Sequence, residues 1–530
     1  MQSEEHYLVE SGLSRLRDAD VLVAGAGVSG RAAVAPLLDL GARVTVTDAN
    51  AEALACCADL GASTIGIDEL VAVSGRVAEF ALVIVSPGFR PDAPVVSAAA
   101  VAGVPVWGDI EFSWRVDQAQ IYGPPRRWLV VTGTNGKTTT TSMLNSILEA
   151  AGIPSVACGN IGLPVLDALR ERRPRSDVLA VELSSFQLHW APSVRPAAGV
   201  VLNIAEDHLD WHGGMQGYID AKARSLTGDV AVVGLDNAAA ASLAERPRDG
   251  RTVGFRIGVP GRGELGVIDG MLVDRAFADS ETLLPADQIS PPGPAGVCDA
   301  LAAAALSRAI GVPADAVATG LRAHRVGPHR AQTVREVAGV AFVDDSKATN
   351  PHAARSSIIA RDSVVWIAGG QLKGARVDDL VAEVAGRLAG AVLIGQDADQ
   401  IADALARHAP EVPVVRIRSG DDESMGARNP GTVLLGAVES DADALMAAAV
   451  RAAAALASAG DSVLLAPAAA SLDMFESYGH RGRSFAEAAQ GLSAEQIGST
   501  TAGPSDVTPA GPSDVTLPEP PDVTGESGPR

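Results

Sequence analysis

Residues 128–148 read WLVVTGTNGKTTTTSMLNSIL, and the fold of the chain can be worked outward from them. The stretch opens with an apolar β-type run at 128–131. It turns through Thr132-Gly133-Thr134-Asn135-Gly136 and enters a helix at Lys137-Thr138-Thr139. Strand, glycine loop and helix N-terminus in that order make an anion cradle. Backbone N–H groups without helical partners point out of the loop, and the helix dipole adds partial positive charge. Polyphosphate is the natural guest. Lys137 is placed to reach terminal phosphates, and the Thr138 hydroxyl to sit on Mg²⁺. The loop is a variant, because Val131 stands where the usual pattern has its first glycine.

At 530 residues the chain is long enough for about two to four domains. Apolar residues make up 47% and charged residues 20%, a balance that suits an α/β enzyme with ample core. A net charge of −22 argues against nucleic acid or an anionic membrane as partner. Anionic substrates must then be held by local Lys, Arg, metal and backbone N–H groups. The four cysteines (Cys56, Cys57, Cys158, Cys298) have no metal or disulfide spacing, and the adjacent pair reads as core filler. The polar N-terminus is no signal peptide, and the alanine-rich run at 447–457, broken by Arg451, reads as a packed helix. A cytoplasmic location follows, without membrane insertion.

Upstream, residues 20–48 read as one βαβ unit with Gly25-Ala26-Gly27-Val28-Ser29-Gly30 in its first turn and Asp48 ending its second strand. This is a dinucleotide-type fingerprint. Taken alone it suggests a NAD-dependent oxidoreductase, but a uridine diphosphate fits the same loop. A further strand at 80–85 ends in Ser86-Pro87-Gly88, where a ligand crevice would lie. The first domain is expected over 1–119, before the link Gly123-Pro124-Pro125.

Downstream, β-type runs at 178–181, 198–202 and 230–233 continue the phosphate-loop domain, expected over 120–325. Glu182 stands at one strand tip and His208 just past the next, which makes both candidate Mg²⁺ ligands. By its residues alone, Lys222 reads as a surface helix lysine. An alanine-rich helix at 295–310 could pack near a nucleotide base. A third doubly wound domain is expected over 326–490, with Lys347 and Lys373 after strands at 340–343 and 363–368. Beyond 490, AGPSDVT recurs at 502–508 and 510–516; proline, glycine, serine and acid dominate, and 491–530 is expected to be a disordered tail.

Together these motifs resemble the Mur ligases, most closely their D-glutamate-adding branch. GTNGKTTT at 133–140, ELSSFQL at 182–188, NIAEDHLD at 203–210, DDSKATNPHA at 344–353 and LAPAAASLDMF at 465–475 stand in family order, and the likeness runs from about 20 to 489. The resemblance implies an α/β chain of three domains: a Rossmann-like first domain, a P-loop-type central ATPase domain and a Rossmann-like third. It implies an ATP-dependent ligase of peptidoglycan precursor synthesis. D-glutamate would be added to UDP-N-acetylmuramoyl-L-alanine through an acyl phosphate, by a monomer.

The resemblance also distributes roles. Gly133, Thr134, Asn135, Gly136, Lys137, Thr138 and Thr139 would hold ATP with Arg330, Asp345 and Lys347. Gly27, Val28, Ser29, Asp48, Ser86, Asn160 and Ser184 would hold the UDP substrate. Thr349, Lys373, Ser471, Leu472 and Tyr478 would form the D-glutamate pocket. Thr138, Glu182 and His208, with Lys222 as a carbamate, would hold two Mg²⁺ ions. Lys137, Glu182, His208 and Lys222 would carry the chemistry. There are departures from the family pattern. Gly293-Pro294-Ala295-Gly296-Val297-Cys298-Asp299 replaces an asparagine-bearing motif near the adenine, with Asp299 in place of the last asparagine. Gln332 and Leu372 stand where acids are common. Competing readings are a sister ligase for another amino acid, a folylpolyglutamate synthase, a NAD enzyme and a silent nucleotide-binding scaffold.

Overall fold

The computed structural model describes residues 12–73, 75–171, 175–419, 432–438 and 441–498. Three sheets follow one another along the chain. The first comprises β1 (Asp20–Ala24), β2 (Arg43–Asp48), β3 (Ser63–Gly66), β4 (Leu82–Val85) and β5 (Val106–Gly108), all parallel in the order β3-β2-β1-β4-β5. The central strands are continuous apolar runs because helices cover both faces. Helix α1 (Val28–Asp39) follows the glycine turn. That turn demands glycine: Gly25 has φ 106°, and a Cβ on Gly30 would stand 1.8 Å from the Gly25 carbonyl oxygen.

The second sheet contains β6 (Arg127–Thr132), β7 (Ser155–Gly159), β8 (Val178–Glu182), β9 (Ala198–Val201), β10 (Val230–Gly234), β11 (Arg251–Phe255), β12 (Glu264–Ile268), β13 (Met271–Asp274) and β14 (Glu281–Pro285). Its order is β14-β13-β12-β11-β10-β9-β6-β8-β7. Strands β6 to β12 pair in parallel, and β13 and β14 return antiparallel. Because β6 lies between β9 and β8, the tips of those two strands flank the loop that β6 feeds. The helices that build the site are α2 (Lys137–Ala150), α3 (Ser185–His189), α4 (Met215–Ala223) and α5 (Pro294–Ala309). Residues 300–306 of α5 are 0% exposed, and alanine's small side chain lets this helix press against α2.

The third sheet contains β15 (Gln332–Val337), β16 (Val340–Asp344), β17 (Val364–Gly369), β18 (Leu388–Ile394), β19 (Val414–Ser419), β20 (Thr432–Val438) and β21 (Ser462–Leu465). Its order is β15-β16-β21-β17-β18-β19-β20, with β15 alone antiparallel. The last strand in sequence, β21, sits between β16 and β17, so three loops open side by side at one edge. Helices α6 (Pro351–Ile359), α7 (Ala442–Leu456) and α8 (Tyr478–Gln490) accompany this sheet.

One apolar cluster runs from Val21 and Val23 through Phe112 to Trp128, Val130 and Leu179, so the first two domains share packing across the expected boundary at 119. The fold also continues past 490, where the tail was expected to begin. Leu492 is buried and Ile497 packs on the third-domain core; two aliphatic side chains and the cap at Ser493 hold this short segment down. The rest of the expected tail, from 499, lies outside the described residues. Cys57 is buried as expected, but Cys56 is exposed, and all four cysteines are free. No helix of the described residues is long and apolar enough to cross a membrane.

Candidate active site

The glycine loop joins β6 to α2 as its sequence implies. Gly136 has φ 85°, and a Cβ there would lie 2.2 Å from Asp299 Oδ1, so only glycine fits. The loop is laced to the segment after β9: Thr134 N donates to Asn203 O at 2.9 Å and Asn135 N to Asn203 Oδ1 at 2.9 Å. Lys137 Nζ donates to the carbonyls of Gly133 (3.0 Å) and Thr134 (2.9 Å). Burial lowers its pKa, while Glu182 and Asp207 oppose the shift and favour the ammonium.

Glu182 ends β8 and is 1% exposed. Asn160 Nδ2 donates to its Oε1 at 3.0 Å, whereas its buried Oε2 has no partner. A carboxylate oxygen desolvated in this way is costly unless a cation or donor meets it, so the site fits a hard metal ion. His208 takes a left-handed φ of 52° before residues 209–212, with Nε2 3.5 Å from Asp207 Oδ1 and its ring 4.7 Å from Phe186.

Lys222 is no surface lysine: it is 1% exposed on the inner face of α4. Its Nζ donates to Gly133 O at 2.7 Å and lies 4.6 Å from the Tyr218 ring centroid. Burial, and then the charge of Lys137, push its pKa well below the ordinary lysine value. Among the described residues no three His, Cys, Asp or Glu side chains converge as a cage. Mg²⁺ does not need one, since it keeps waters and takes phosphate oxygens.

The third domain closes the far side of this cleft, whose volume is about 340 Å³. Arg330, Asp345, Lys347 and Thr349 line it opposite Asn135, Lys137, Thr138, Thr139, Asn160, Glu182 and His208. Burial raises the Asp345 pKa to about 6, opposed by hydrogen bonds from Ser357 and Ala331 N. Burial, then Arg330, lower that of Lys347, whose Nζ stands 4.0 Å from the Tyr478 ring centroid.

Direct bonds cross between the domains. Asn350 Nδ2 donates to Asn135 Oδ1 at 3.1 Å, and Asn135 Nδ2 lies 2.9 Å from His352 Nδ1. Sequence reasoning had missed Asp207 and Asn350 as members of the cleft, and His352 as a partner of Asn135. Asn350 did carry a signal, the Asn-Pro that opens α6, where its Oδ1 caps Ala353 N at 2.9 Å. The first turn of α5 lines the cleft, and Asp299, accepting from Thr140 Oγ1 at 3.1 Å, is driven by burial to a pKa of about 8.

A model of the Mur ligase middle domain matches residues 131–258, and one of the alanine dehydrogenase/PNT C-terminal domain matches residues 3–102. A UDP-N-acetylmuramoylalanine–D-glutamate ligase of Rhodococcus jostii is 71% identical over 94% of this chain and 99% of its own. One of Mycobacterium avium is 57% identical over 89% of this chain and 96% of its own. The chain belongs to the UDP-N-acetylmuramoylalanine–D-glutamate ligase family. Among solved structures, the UDP-N-acetylmuramate–alanine ligase MurC of Thermotoga maritima matches at 18% identity with a TM-score of 0.51, over 89% of this chain and 99% of that one, a likeness of fold.

The remaining positions that the family resemblance singles out fall at strand and helix ends. Gly27, Val28 and Ser29 begin α1. The Asp48 carboxylate braces the glycine turn by accepting from Ala26 N at 2.7 Å. Ser86 packs on Gly25 with its buried Oγ unpartnered. The Ser184 hydroxyl oxygen accepts from Gln187 N and caps α3.

In the third domain, Gln371 and Ala470 exchange two backbone hydrogen bonds of 2.9 Å. These set the Lys373 loop beside Ser471 and the exposed Leu472. Arg481, fully buried on α8, donates to Ser346 Oγ (3.0 Å), Ser346 O (2.9 Å) and Ala469 O (3.1 Å), tying together the loops that carry Lys347 and Ser471. It too had escaped the sequence reading, as an arginine inside an ordinary helix.

Proposed function

We propose that this ligase joins the amine of D-glutamate to the L-alanyl carboxylate of UDP-N-acetylmuramoyl-L-alanine, with ATP as the energy source. The γ-phosphoryl passes from ATP to a carboxylate oxygen, leaving ADP and an acyl phosphate. The glutamate amine then attacks the acyl carbon. The C–O bond to phosphate breaks, phosphate departs with that oxygen, and the amine loses a proton. Loop residues Gly133 to Thr139 hold the triphosphate, with Arg330, Asp345 and Lys347 facing the nucleoside. Lys137 and the loop N–H groups stabilise charge on the transferring phosphoryl.

Gly27, Val28, Ser29, Asp48 and Ser86 grip the uridine diphosphate, and Asn160 and Ser184 the muramoyl part. Thr349, Lys373, Ser471, Leu472 and Tyr478 orient D-glutamate. Thr138, Glu182, His208 and Lys222 would hold two Mg²⁺ ions. Such ions, when bound, neutralise phosphate charge and draw donor and acceptor oxygens together. For that task the Lys222 amine adds to CO₂ and loses a proton, which turns a cation into a carboxylate. The domains divide as 1–119, 120–325 and 326 to about 498, the third reaching past the expected boundary at 490 to include Leu492 and Ile497, and the enzyme works as a cytoplasmic monomer.

One observation carries this: Lys137, the half-partnered Glu182, Arg330 and Lys347 line a single cleft drawn from two domains. The test is phosphate release from ATP with UDP-N-acetylmuramoyl-L-alanine and a panel of amino acids. D-glutamate should give the fastest turnover, and equal or faster turnover with another amino acid would overturn the assignment.

A further inference from the structure

Away from the cleft, a second cavity of about 370 Å³ opens beside α4. Four arginines (Arg195, Arg224, Arg246, Arg248) meet two aspartates (Asp220, Asp249) there, a positive surplus in a chain whose net charge is −22. Among the described residues only one of the four is ion-paired, Arg246 with Asp220 at 2.8 Å. The others are fixed by backbone carbonyls, which orient a guanidinium without neutralising it. Arg195 donates to Thr227 O at 3.3 Å, Arg224 to Leu188 O at 3.0 Å, and Arg248 to Arg246 O at 3.3 Å and to Leu243 O.

Arg248 Nη1 is buried and has no acceptor. Its pKa is lowered by burial and then by the neighbouring Arg246 charge. Like charges held together, with a desolvated donor left over, cost free energy that a shared anion would recover. Guanidinium forks bind the oxygens of phosphate in pairs, and several forks around one cavity suit a multiply charged oxyanion better than a single carboxylate.

We propose that this cavity is a binding site for a phosphate-type oxyanion, separate from the triphosphate loop. No bond is made or broken in it. The site stands whether or not the proposed reaction is correct, since the two cavities share no residue.

The test is calorimetric titration of inorganic phosphate into the full-length protein, with the cleft first saturated by Mg²⁺ and a non-hydrolysable ATP analogue. One saturable site is expected. Arg248→Gln and Arg195→Gln should each weaken it by about tenfold or more. Arg195 is exposed, so its variant tests the site even if the Arg248 variant folds poorly. No saturable binding by the wild type, or binding by both variants as tight as the wild type's, would overturn the proposal.

Discussion

A lysine that is 1% exposed, with a second lysine's charge near it, is poorly kept as an ammonium. Burial and that neighbour both favour the neutral amine, which is the form that reacts with CO₂. The account predicts that Lys222→Ala loses turnover by about 100-fold or more and regains part of it when a small carboxylic acid is added. Turnover like the wild type's, or no rescue in a folded variant, would remove the carbamate.

Asp299 shows the opposite effect of burial on an acid. Its folded pKa of about 8 stands above the unfolded value of about 3.9, so between those values the folded state keeps a proton that the unfolded state has lost. Stability from this group is therefore greatest below about pH 4 and falls as pH rises to about 8. At neutral pH it stays an uncharged O–H donor. Urea midpoints from about pH 5 to about pH 9 should fall more steeply for the wild type than for Asp299→Asn. Parallel curves would show that the carboxyl is ionised throughout.

At the scale of elements, the link from the first domain to β6 is pinned by Asp117. It accepts from Arg126 N (3.0 Å), Arg126 Nη1 (2.9 Å) and Trp128 Nε1 (3.0 Å), all buried. Removing one partner leaves the other charge stranded. Asp117→Ala should cost about 3–5 kcal/mol in urea unfolding, and a loss below about 1 kcal/mol would show that the seam tolerates water. Elements of this sheet were legible where burial makes a strand an unbroken apolar run, as in β6, β8 and β9. The strip β12 to β14 escaped because Glu264, Gly266, Asp274, Glu281 and Thr282 interrupt its apolar runs. Yet Asp269-Gly270, at φ 47° and 75°, is a strong local hairpin signal and could have revealed it. Lys137, Thr138 and Glu182 were readable because strand tips beside a phosphate loop face its ligand. Lys222 was legible only through resemblance, since nothing in its own segment signals that α4 turns it inward.

Over the whole molecule, the contacts least visible in sequence are those between domains. Asn135 and Asn350 are 215 residues apart, and no local pattern pairs them. Their hydrogen bonds span the cleft where phosphoryl transfer would take place. The central claim is that the substrate carboxylate is activated by accepting phosphate. Its most direct test uses UDP-N-acetylmuramoyl-L-alanine with both carboxylate oxygens replaced by ¹⁸O, turned over with unlabelled ATP and D-glutamate. The account predicts one ¹⁸O atom in each inorganic phosphate released; phosphate free of label would contradict it.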